Sequence, residues 1–545
     1  MKIFLSGLLV LLAIASQAQP STSQKPKLVV GIMVDQMRME YLYRFESRLG
    51  ENGFKRLMRE GFTLKNAHYN YMPTVTGPGH ASVYTGTTPA VHGIIGNDFY
   101  DKFEKKSVNC VEDSRYKPLG SEVGNGDVSP WRLLFTTITD ELKLFTQKRS
   151  KVMGLSIKDR GAVLPAGHMA DAAYWYDSKT GRFISSTYYM NQMPAWADKF
   201  NKLNKADQYL NQTWNTSFPL EKYVASGPDL SPYERKFSGK STTAFPYNLK
   251  ELRSKNGNFD LLVYTPFAND YLTEFGLTLV TEEKLGQDDV TDFLAISFST
   301  PDIIGHSVGP NAVEIEDIYI KLDKNIETIL SSLDKQVGIG QYTVFLTADH
   351  AVADVPQYLK DQRIPAGTMS LENLKVNMAD FLNAYYPGKK LIENISNEQV
   401  FLNHEAFSQD PRTSGVDLLI TMELVGKFLM ATDGIQTYYT ENQLRQSDFN
   451  EGGIKGSVVR GFHHKRSGDI AFVLEPGWFT GNWPQGTTHG SPWMYDTHVP
   501  ILFFGAGIPA GSTSVYHSIT DIAPTLSVLL GIKFPNCCTG QPISE

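Results

Sequence analysis

The 545-residue sequence is poor in cysteine and in positive charge. Its three cysteines are too few for a disulfide framework. The 51 Lys and Arg against 58 Asp and Glu give a net charge of −7, which argues against the basic footprint of a nucleic-acid-binding protein. We therefore expect no nucleic-acid partner. A small cationic pocket for an anionic ligand is still compatible with this balance.

Long apolar runs are also missing, except at the N-terminus. Residues 3–15 are almost wholly apolar and are followed by the small residues of Ser16-Gln17-Ala18. This pattern predicts a signal peptide over 1–18, cut after Ala18, and a disordered lead over 19–26. The alternative, an uncleaved anchor, is disfavoured because about 13 apolar residues are too short to span a bilayer. We expect a periplasmic or secreted protein with no membrane span after cleavage, and a monomer, since nothing indicates a coiled coil.

Short β-branched runs mark buried strands along the rest of the chain. Residues 27–35, 292–299 and 341–347 have this form, and apolar residues at helical spacing follow or separate them. This alternation predicts an α/β fold with a mostly parallel sheet sandwiched between helices. Two stretches lack the pattern. We assign them, within a catalytic domain over 27–545, to a cap insertion at about 166–285 and a smaller accessory insertion at about 355–480.

Acidic residues and histidines recur at the predicted strand ends. They are Asp35, Asp302, Asp349, His306, His350 and His489. In open α/β sheets, ligands bind beyond the carboxyl ends of the strands. Three carboxylates gathered there would repel one another, and two divalent cations would neutralise them. Mixed Asp/His ligation suits Zn²⁺, with Mn²⁺ or Fe as alternatives. Taken alone, an Asp at a strand end is more often a cap or turn residue, and an Asp-His pair is common by chance.

The segment 71–97 contains a candidate nucleophile. Thr76 stands where a turn opens a helix, a position that favours an anion. A metal held by Asp35, Asp349 and His350 could lower the pKa of its hydroxyl. The alternative is that Thr74 and Thr76 only cap the helix.

A second candidate feature is the pair Lys158 and Arg160, which follows the apolar run at 151–156. Alternating cations at a strand end can point at one oxyanion, although a solvated surface turn has the same pattern.

Several motifs together resemble those of a known family. In chain order they are MVDQMR, PTVTGPGH, HGIIGND, SIKDR, DIIGH, TADH and GTTH. They resemble the alkaline phosphatase superfamily, and most closely its PafA-type periplasmic alkaline phosphatases, from residue 27 to near the C-terminus. The resemblance implies a secreted hydrolase of small phosphate monoesters with two Zn²⁺ per chain. It assigns the ligands as two sets: Asp302, His306 and His489 for one zinc, and Asp35, Asp349 and His350 for the other.

The resemblance also implies roles for the residues around phosphorus. Thr76 is the nucleophile and forms a phosphothreonine intermediate, while Asn97, Lys158 and Arg160 contact the nonbridging phosphoryl oxygens. Two cations favour a monoester dianion over a diester. A phosphodiesterase or nucleotide pyrophosphatase of the same superfamily stays an alternative, as does a catalytically silent binding protein. The chain departs from the superfamily at Ala351, where glycine is common, and has the glycine-rich turn 77–79 after the nucleophile.

Overall fold

A computed structural model describes residues 25–123, 126–407, 417–482 and 484–544. The predicted signal peptide and most of the predicted lead lie outside the described residues. Of that lead, Pro26 is described, and its carbonyl oxygen accepts a hydrogen bond of 2.6 Å from the Thr291 hydroxyl. Among the described residues, no helix combines the length and the apolar character that a membrane crossing requires.

Short strands run through the whole described chain. Their bounds are β1 Leu28–Val34, β2 Phe62–His68, β3 Asp98–Asp101, β4 Lys106–Asn109, β5 Pro118–Leu119, β6 Val152–Ser156, β7 Ala172–Asp177, β8 Arg182–Ser186, β9 Thr213–Trp214, β10 Tyr247–Asn248, β11 Asp292–Phe298, β12 Tyr342–Thr347, β13 Gly367–Met369, β14 Ile392–Ser396, β15 Gln399–Leu402, β16 Ile435–Thr440, β17 Ile470–Leu474, β18 Trp478–Thr480, β19 His498–Gly505 and β20 Gly511–Ser518. Ten of these described strands form one sheet in the order β20-β2-β19-β12-β1-β11-β6-β7-β8-β5.

The middle of this sheet is parallel. Strands β12, β1, β11, β6 and β7 pair in parallel. Every residue of β1, β11 and β12 is buried, as expected for strands covered on both faces. The predicted α/β fold with a mostly parallel sheet is confirmed. Strand β19 joins the same sheet but runs antiparallel to its neighbours β12 and β2.

Helices connect the strands. The longer ones span Phe54–Glu60, Thr76–Thr85, Ile138–Phe145, Asp159–Ala166, Ala195–Asn201, Lys205–Leu210, Phe267–Glu282, Thr300–Val308, Val313–Leu333, Pro356–Asp361, Leu371–Asn383, Leu418–Met430, Glu441–Arg445, Gly453–Gly461 and Ile522–Leu530. Four-residue helices span Tyr41–Arg44, Pro89–His92, Leu249–Leu252, His404–Phe407 and Met494–Thr497. The site depends chiefly on Thr76–Thr85 and Thr300–Val308, because each begins beside the carboxyl end of a central strand.

The stretch predicted as a cap insertion, at about 166–285, includes two strands of the central sheet. Strands β7 and β8, at 172–186, belong to the central sheet rather than to a separate cap. They form a hairpin with antiparallel pairing and many aromatic residues. A hairpin has no helix between its strands, so its sequence lacks the strand–helix–strand alternation that marks the rest of the sheet. Within the predicted accessory insertion at 355–480, β14, β15, β17 and β16 form a separate four-stranded sheet with its own apolar cluster. The division into a catalytic domain with two insertions stays a prediction.

Candidate active site

Three aspartates meet at the carboxyl ends of the central strands. Asp35 directly follows β1, Asp349 follows β12, and Asp302 lies in the first turn of the helix after β11. The register pairs Val34 with Phe298 and Met33 with Thr347, so the three strands end side by side. All three carboxylates are buried. The sheet therefore brings together the acidic residues that the sequence scatters over more than 300 positions.

Histidines surround these carboxylates in two groups. One Asp302 oxygen lies 3.1 Å from His306 Nε2 and 3.4 Å from His489 Nε2. His350 Nε2 lies 3.4 Å from Asp35 Oδ1 and 3.7 Å from Asp349 Oδ2. Two sets of ligand atoms are compact enough to hold a metal ion: Asp302, His306 and His489, and Asp35, Asp302 and His350. Asp302 is thus close to both sets, while Asp349 flanks the second.

Each of the three histidines uses its other ring nitrogen to contact the backbone. Nδ1 of His306, His350 and His489 lies 2.9, 2.9 and 2.7 Å from the carbonyl oxygens of Thr487, Ala351 and Thr74, respectively. A ring whose Nδ1–H donates to a carbonyl leaves Nε2 as a lone-pair donor, which is the arrangement of metal-binding histidines.

Several atoms in and beside the second set are buried without a hydrogen-bond partner in the described structure. They are Asp35 Oδ1, Asp349 Oδ2 and His350 Nε2. Buried polar atoms normally have partners, because leaving one unpaired costs about 1 to 3 kcal/mol. Oxygen and imidazole donors that converge without partners have the chemistry of a divalent-cation site, and Zn²⁺ accepts both donor types. The residues present therefore fit the implied metal.

The electrostatics of the cluster lead to the same conclusion. Burial and the adjacent Asp302 raise the pKa of Asp35, but Lys158 and His350 outweigh them and hold it at about 2. Burial and Asp35 raise the pKa of Asp349 well above its ordinary value. Burial lowers the pKa of His350, yet Asp349 and Asp35 raise it to about 9. The clustered carboxylates are thus stabilised by nearby positive charge, and a bound metal would supply more of it.

Lys158 connects the carboxylates with Thr76. Its Nζ lies 2.7 Å from Asp35 Oδ2, 2.6 Å from Asp302 Oδ2 and 3.3 Å from Thr76 Oγ1. Burial disfavours the charged ammonium, but Asp302 and Asp35 outweigh it and raise the pKa of Lys158. This residue is therefore a fixed cation beside a threonine hydroxyl.

Thr76 is the first residue of the buried helix Thr76–Thr85. The next backbone N–H, that of Gly77, donates a 2.6 Å hydrogen bond to Asn97 Oδ1. His80 Nδ1 lies 2.9 Å from the Thr76 carbonyl oxygen, a contact that stabilises the first turn of the helix. The hydroxyl thus stands at a helix N-terminus, where N–H groups and the helix dipole favour an anion.

Arg160 completes the cationic side of the site. Its Nε is buried and has no hydrogen-bond partner in the described structure, and Nη1 lies 3.7 Å from Asp159 Oδ1. Burial lowers the pKa of this guanidinium, but Asp159 and other anionic neighbours raise it above its ordinary value. A partly buried guanidinium with an unpaired donor suits an oxyanion.

The glycines of the turn after Thr76 are required by close packing. A Cβ on Gly79 would lie 2.2 Å from the Asp349 carbonyl oxygen, and one on Gly77 would lie 3.0 Å from Cys110 Sγ. The helix can therefore approach the candidate ligand Asp349 this closely only with glycine at position 79, while a side chain at position 77 would crowd Cys110. Ala351 is not among the described residues with positive φ, so alanine suits the backbone there.

Gln36 is a site residue that the sequence analysis missed. It adopts φ of +68°, donates from Nε2 to Asp302 Oδ1 at 2.5 Å and donates from its backbone N–H to Asp349 Oδ1 at 3.2 Å. It therefore orients two candidate ligands at once. Its position directly after the strand-end Asp35 was the available signal. His498, in contrast, contacts Lys65 O and stacks on His68 rather than joining the site.

Comparison with known proteins places the chain in a family. Residues 29–498 match the model of the "Type I phosphodiesterase / nucleotide pyrophosphatase" family. The chain belongs to this family, and the predicted relation to the alkaline phosphatase superfamily is confirmed.

Three relatives cover nearly the whole chain. A Myroides odoratus protein named "Calcium-transporting ATPase" is 42% identical over 96% of this chain and 95% of its own length. "Alkaline phosphatase PhoV" of Synechococcus elongatus is 42% identical over 96% of this chain and 94% of its own length. "Alkaline phosphatase PafA" of Elizabethkingia meningoseptica is 38% identical over 100% of this chain and 98% of its own length. The crystal structure of wild-type PafA matches with a TM-score of 0.90 at 39% identity, over 95% of this chain and 98% of that chain. The predicted class of enzyme, a phosphatase, is confirmed by the latter two relatives.

Proposed function

We propose that the protein is an exported, zinc-dependent alkaline phosphatase that hydrolyses phosphate monoesters through a phosphothreonine on Thr76. The observation that carries this proposal is the placement of the Thr76 hydroxyl. It stands at a helix N-terminus, 3.3 Å from the Lys158 ammonium and at the end of the sheet where Asp35, Asp302 and Asp349 converge. A nucleophile, a cation and a candidate two-metal cluster therefore share one small volume.

In the first half of the reaction, Thr76 Oγ forms a bond to phosphorus while the bond from phosphorus to the ester oxygen breaks. The hydroxyl proton is lost, and the released alkoxide takes up a proton to leave as an alcohol. In the second half, water attacks the phosphothreonine, releases inorganic phosphate and restores the hydroxyl. Two divalent cations, when bound by Asp302, His306, His489, Asp35, Asp349 and His350, would supply Lewis acidity to the nucleophile, the leaving oxygen and the water.

The chain's own cations favour a monoester. A monoester dianion presents charged nonbridging oxygens, whereas a diester covers one oxygen with a second substituent. The Lys158 ammonium and the Arg160 guanidinium, which has an unpaired donor, can bind two such oxygens, and Asn97 contributes a polar side chain from the adjacent loop. Charge-assisted hydrogen bonds of this type are worth roughly 1.5 to 3 kcal/mol each.

The solved structure of a PafA variant supports the roles proposed for Thr76, Asn97, Lys158 and Arg160. That variant of PafA carries substitutions at a threonine, an asparagine, a lysine and an arginine. The separations along the chain between the threonine and the asparagine, and between the lysine and the arginine, equal those between Thr76 and Asn97 and between Lys158 and Arg160. The agreement supports these four residues as one working set in this chain.

The family to which the chain belongs favours a second candidate function, that of a phosphodiesterase or nucleotide pyrophosphatase. Such an enzyme would use the same metal cluster and Thr76 but would not benefit from two cations aimed at a dianion. Loss of Lys158 would then leave diester hydrolysis intact, with monoesters cleaved poorly throughout.

Trapping of the covalent intermediate tests the nucleophile. The zinc-loaded protein is mixed with a radiolabelled aryl phosphate, quenched in acid and digested, and the labelled peptide is sequenced. We expect the label on the peptide that contains Thr76, retention of labelling in Thr76→Ser, and no label in Thr76→Ala. Thr74→Ala is the matched control, because the Thr74 hydroxyl donates only to the Ser491 carbonyl among its described contacts. Full activity in Thr76→Ala would overturn the assignment.

A further inference from the structure

A second cavity lies away from the catalytic cluster. It has a volume of about 590 Å³ and is formed by three segments that are distant in sequence, at 99–103, 131–135 and 463–466, beside the short helix Pro89–His92. None of its lining residues belongs to the catalytic cluster described above. Its volume is within the range of about 300 to 1,000 Å³ typical of small-ligand pockets.

The charge of this cavity is positive in a protein whose net charge is −7. Its lining contains the four cationic side chains Lys102, Arg132, Lys465 and Arg466, and one carboxylate, Asp101. Asp101 compensates them weakly, since its Oδ2 lies 3.9 Å from Arg132 Nη1 and its Oδ1 accepts from the backbone N–H of Phe103. The cavity thus carries an excess of about three positive charges.

The state of the Arg132 side chain is a second observation, independent of the charge count, that indicates an anionic ligand. Its side chain is 7% exposed, and its Nε is buried with no hydrogen-bond partner in the described structure. This N–H loses hydration without a hydrogen bond from the protein in exchange, and a bound anion would stabilise the guanidinium that carries it. Arg466 lies alongside and donates to the Arg132 carbonyl at 2.8 Å. Burial and the charge of Arg132 lower the pKa of Arg466 to about 10.

Aromatic rings line the same cavity. The guanidinium carbon of Arg132 lies 4.4 Å from the centroid of the Trp131 ring, and that of Arg466 lies 5.7 Å from the Phe99 ring. Phe103 is 89% exposed and Trp131 is 43% exposed. Large rings left in water beside fixed cations can stack on a flat apolar group whose charged end reaches the guanidinium groups.

We propose that this cavity binds a small ligand in which a flat ring is joined to a phosphate or phosphonate dianion. The dianion contacts Arg132 with Lys465, and the ring lies against Trp131 and Phe103. This second site does not depend on the reaction proposed above, because it uses none of the residues that hold or attack phosphorus.

Calorimetry with phenylphosphonate tests the site, because a phosphatase that cleaves P–O esters leaves its C–P bond intact. The full-length mature protein loaded with zinc is titrated as wild type, Arg132→Ala, Lys465→Glu and Arg160→Ala. We expect Arg132→Ala and Lys465→Glu to weaken binding of phenylphosphonate in the cavity about tenfold. Arg160→Ala should leave binding in the cavity unchanged. Binding that is unaffected by both cavity variants would overturn the proposal.

Two further arms separate the ring from the anion. Methylphosphonate retains the dianion and benzyl alcohol retains the ring, and we expect each to bind the cavity at least tenfold more weakly than phenylphosphonate. Equal binding of methylphosphonate would show that the ring contributes nothing and would overturn the ligand class. Lys465 is exposed, so its substitution leaves the fold intact even if Arg132→Ala does not fold. Lys335→Glu, an exposed charge reversal away from the cavity, should bind like the wild type.

Discussion

The helix that carries Thr76 touches the backbone of Asp349 at Gly79, so closely that a Cβ on Gly79 would lie 2.2 Å from the Asp349 carbonyl oxygen. The proposed nucleophile and one candidate metal ligand are therefore held in register by direct packing of the helix against the strand end. The distance leaves no room for adjustment, because the nearest atom belongs to the backbone.

Gly79→Ala tests this packing. The added methyl group must push the helix away from Asp349, and we expect a loss of about 1 to 3 kcal/mol in the free energy of unfolding, together with weaker zinc binding. Urea unfolding and competition with a chelator measure the two effects. Gly452→Ala is the control, since no atom lies within 4 Å of its added Cβ, and it should change stability by less than about 0.5 kcal/mol. Wild-type zinc affinity in Gly79→Ala would contradict the inferred coupling.

Chelation should remove both activity and stability. A metal that binds only the folded state stabilises it in proportion to the logarithm of its concentration over its dissociation constant, by about 4 kcal/mol at a thousandfold excess. We expect a lower midpoint of thermal unfolding after chelation, with activity and midpoint both restored by zinc. Asp302→Asn should reduce the restored activity strongly, because Asp302 is close to both ligand sets. Full activity after exhaustive chelation would contradict a metal-dependent reaction.

The structure also predicts how Gln36 acts. Its amide orients Asp302 through Nε2, so Gln36→Ala should weaken zinc binding about tenfold, the value of one charge-assisted hydrogen bond. Gln36→Glu should behave differently, because a further carboxylate beside Asp302 adds repulsion in the metal-free protein. Zinc affinity and the midpoint of unfolding without metal separate these outcomes. Unchanged zinc affinity in both variants would remove Gln36 from the site.

Two buried glutamates, Glu234 between β9 and β10 and Glu314 in the helix Val313–Leu333, predict a pH effect on stability. Burial and the adjacent Glu314 raise the pKa of Glu234 to about 10, and burial raises that of Glu314 to about 7. Both folded-state values exceed the ordinary value of 4.5, so the folded protein binds protons that the unfolded chain releases. Their stabilising contribution is therefore complete below about pH 4.5 and is lost as the pH rises through 7 and then 10.

Glu314→Gln isolates this effect, because an amide oxygen can still accept from the Tyr247 hydroxyl. Urea midpoints between pH 5 and 9 should fall less in the variant than in the wild type, by a difference on the order of 2 kcal/mol in the free energy of unfolding. Glu423→Gln, on an exposed helix face, is the control and should follow the wild type. Parallel curves for wild type and Glu314→Gln would contradict the raised pKa.

Much of the site could be predicted from the sequence because the central strands are easy to recognise. The runs of β1, β11 and β12 are buried on both faces and are therefore continuously apolar, so the polar residues that end them stand out. Parallel strands then bring Asp35, Asp302 and Asp349 to one edge without any need to know the loops.

The remainder depends on contacts between segments far apart in sequence. The need for Gly79 appears only when the helix meets Asp349, and the role of Gln36 only when its side chain reaches Asp302. The stretch predicted as a cap includes β7 and β8, which belong to the central sheet. They pair directly as an antiparallel hairpin, without a helix between them, so the strand–helix–strand pattern is absent there. The second cavity combines residues near 100, 132 and 465, and no local pattern joins them.

Lys158 and Arg160 are proposed to make this enzyme prefer a monoester dianion. The most direct measurement compares kcat/KM for p-nitrophenyl phosphate and bis-p-nitrophenyl phosphate in zinc-loaded wild type, Lys158→Ala and Arg160→Ala. We expect the wild type to prefer the monoester, and each variant to lose roughly 10- to 100-fold on the monoester with a much smaller loss on the diester. A wild-type preference for the diester, or equal losses on both substrates, would contradict the account.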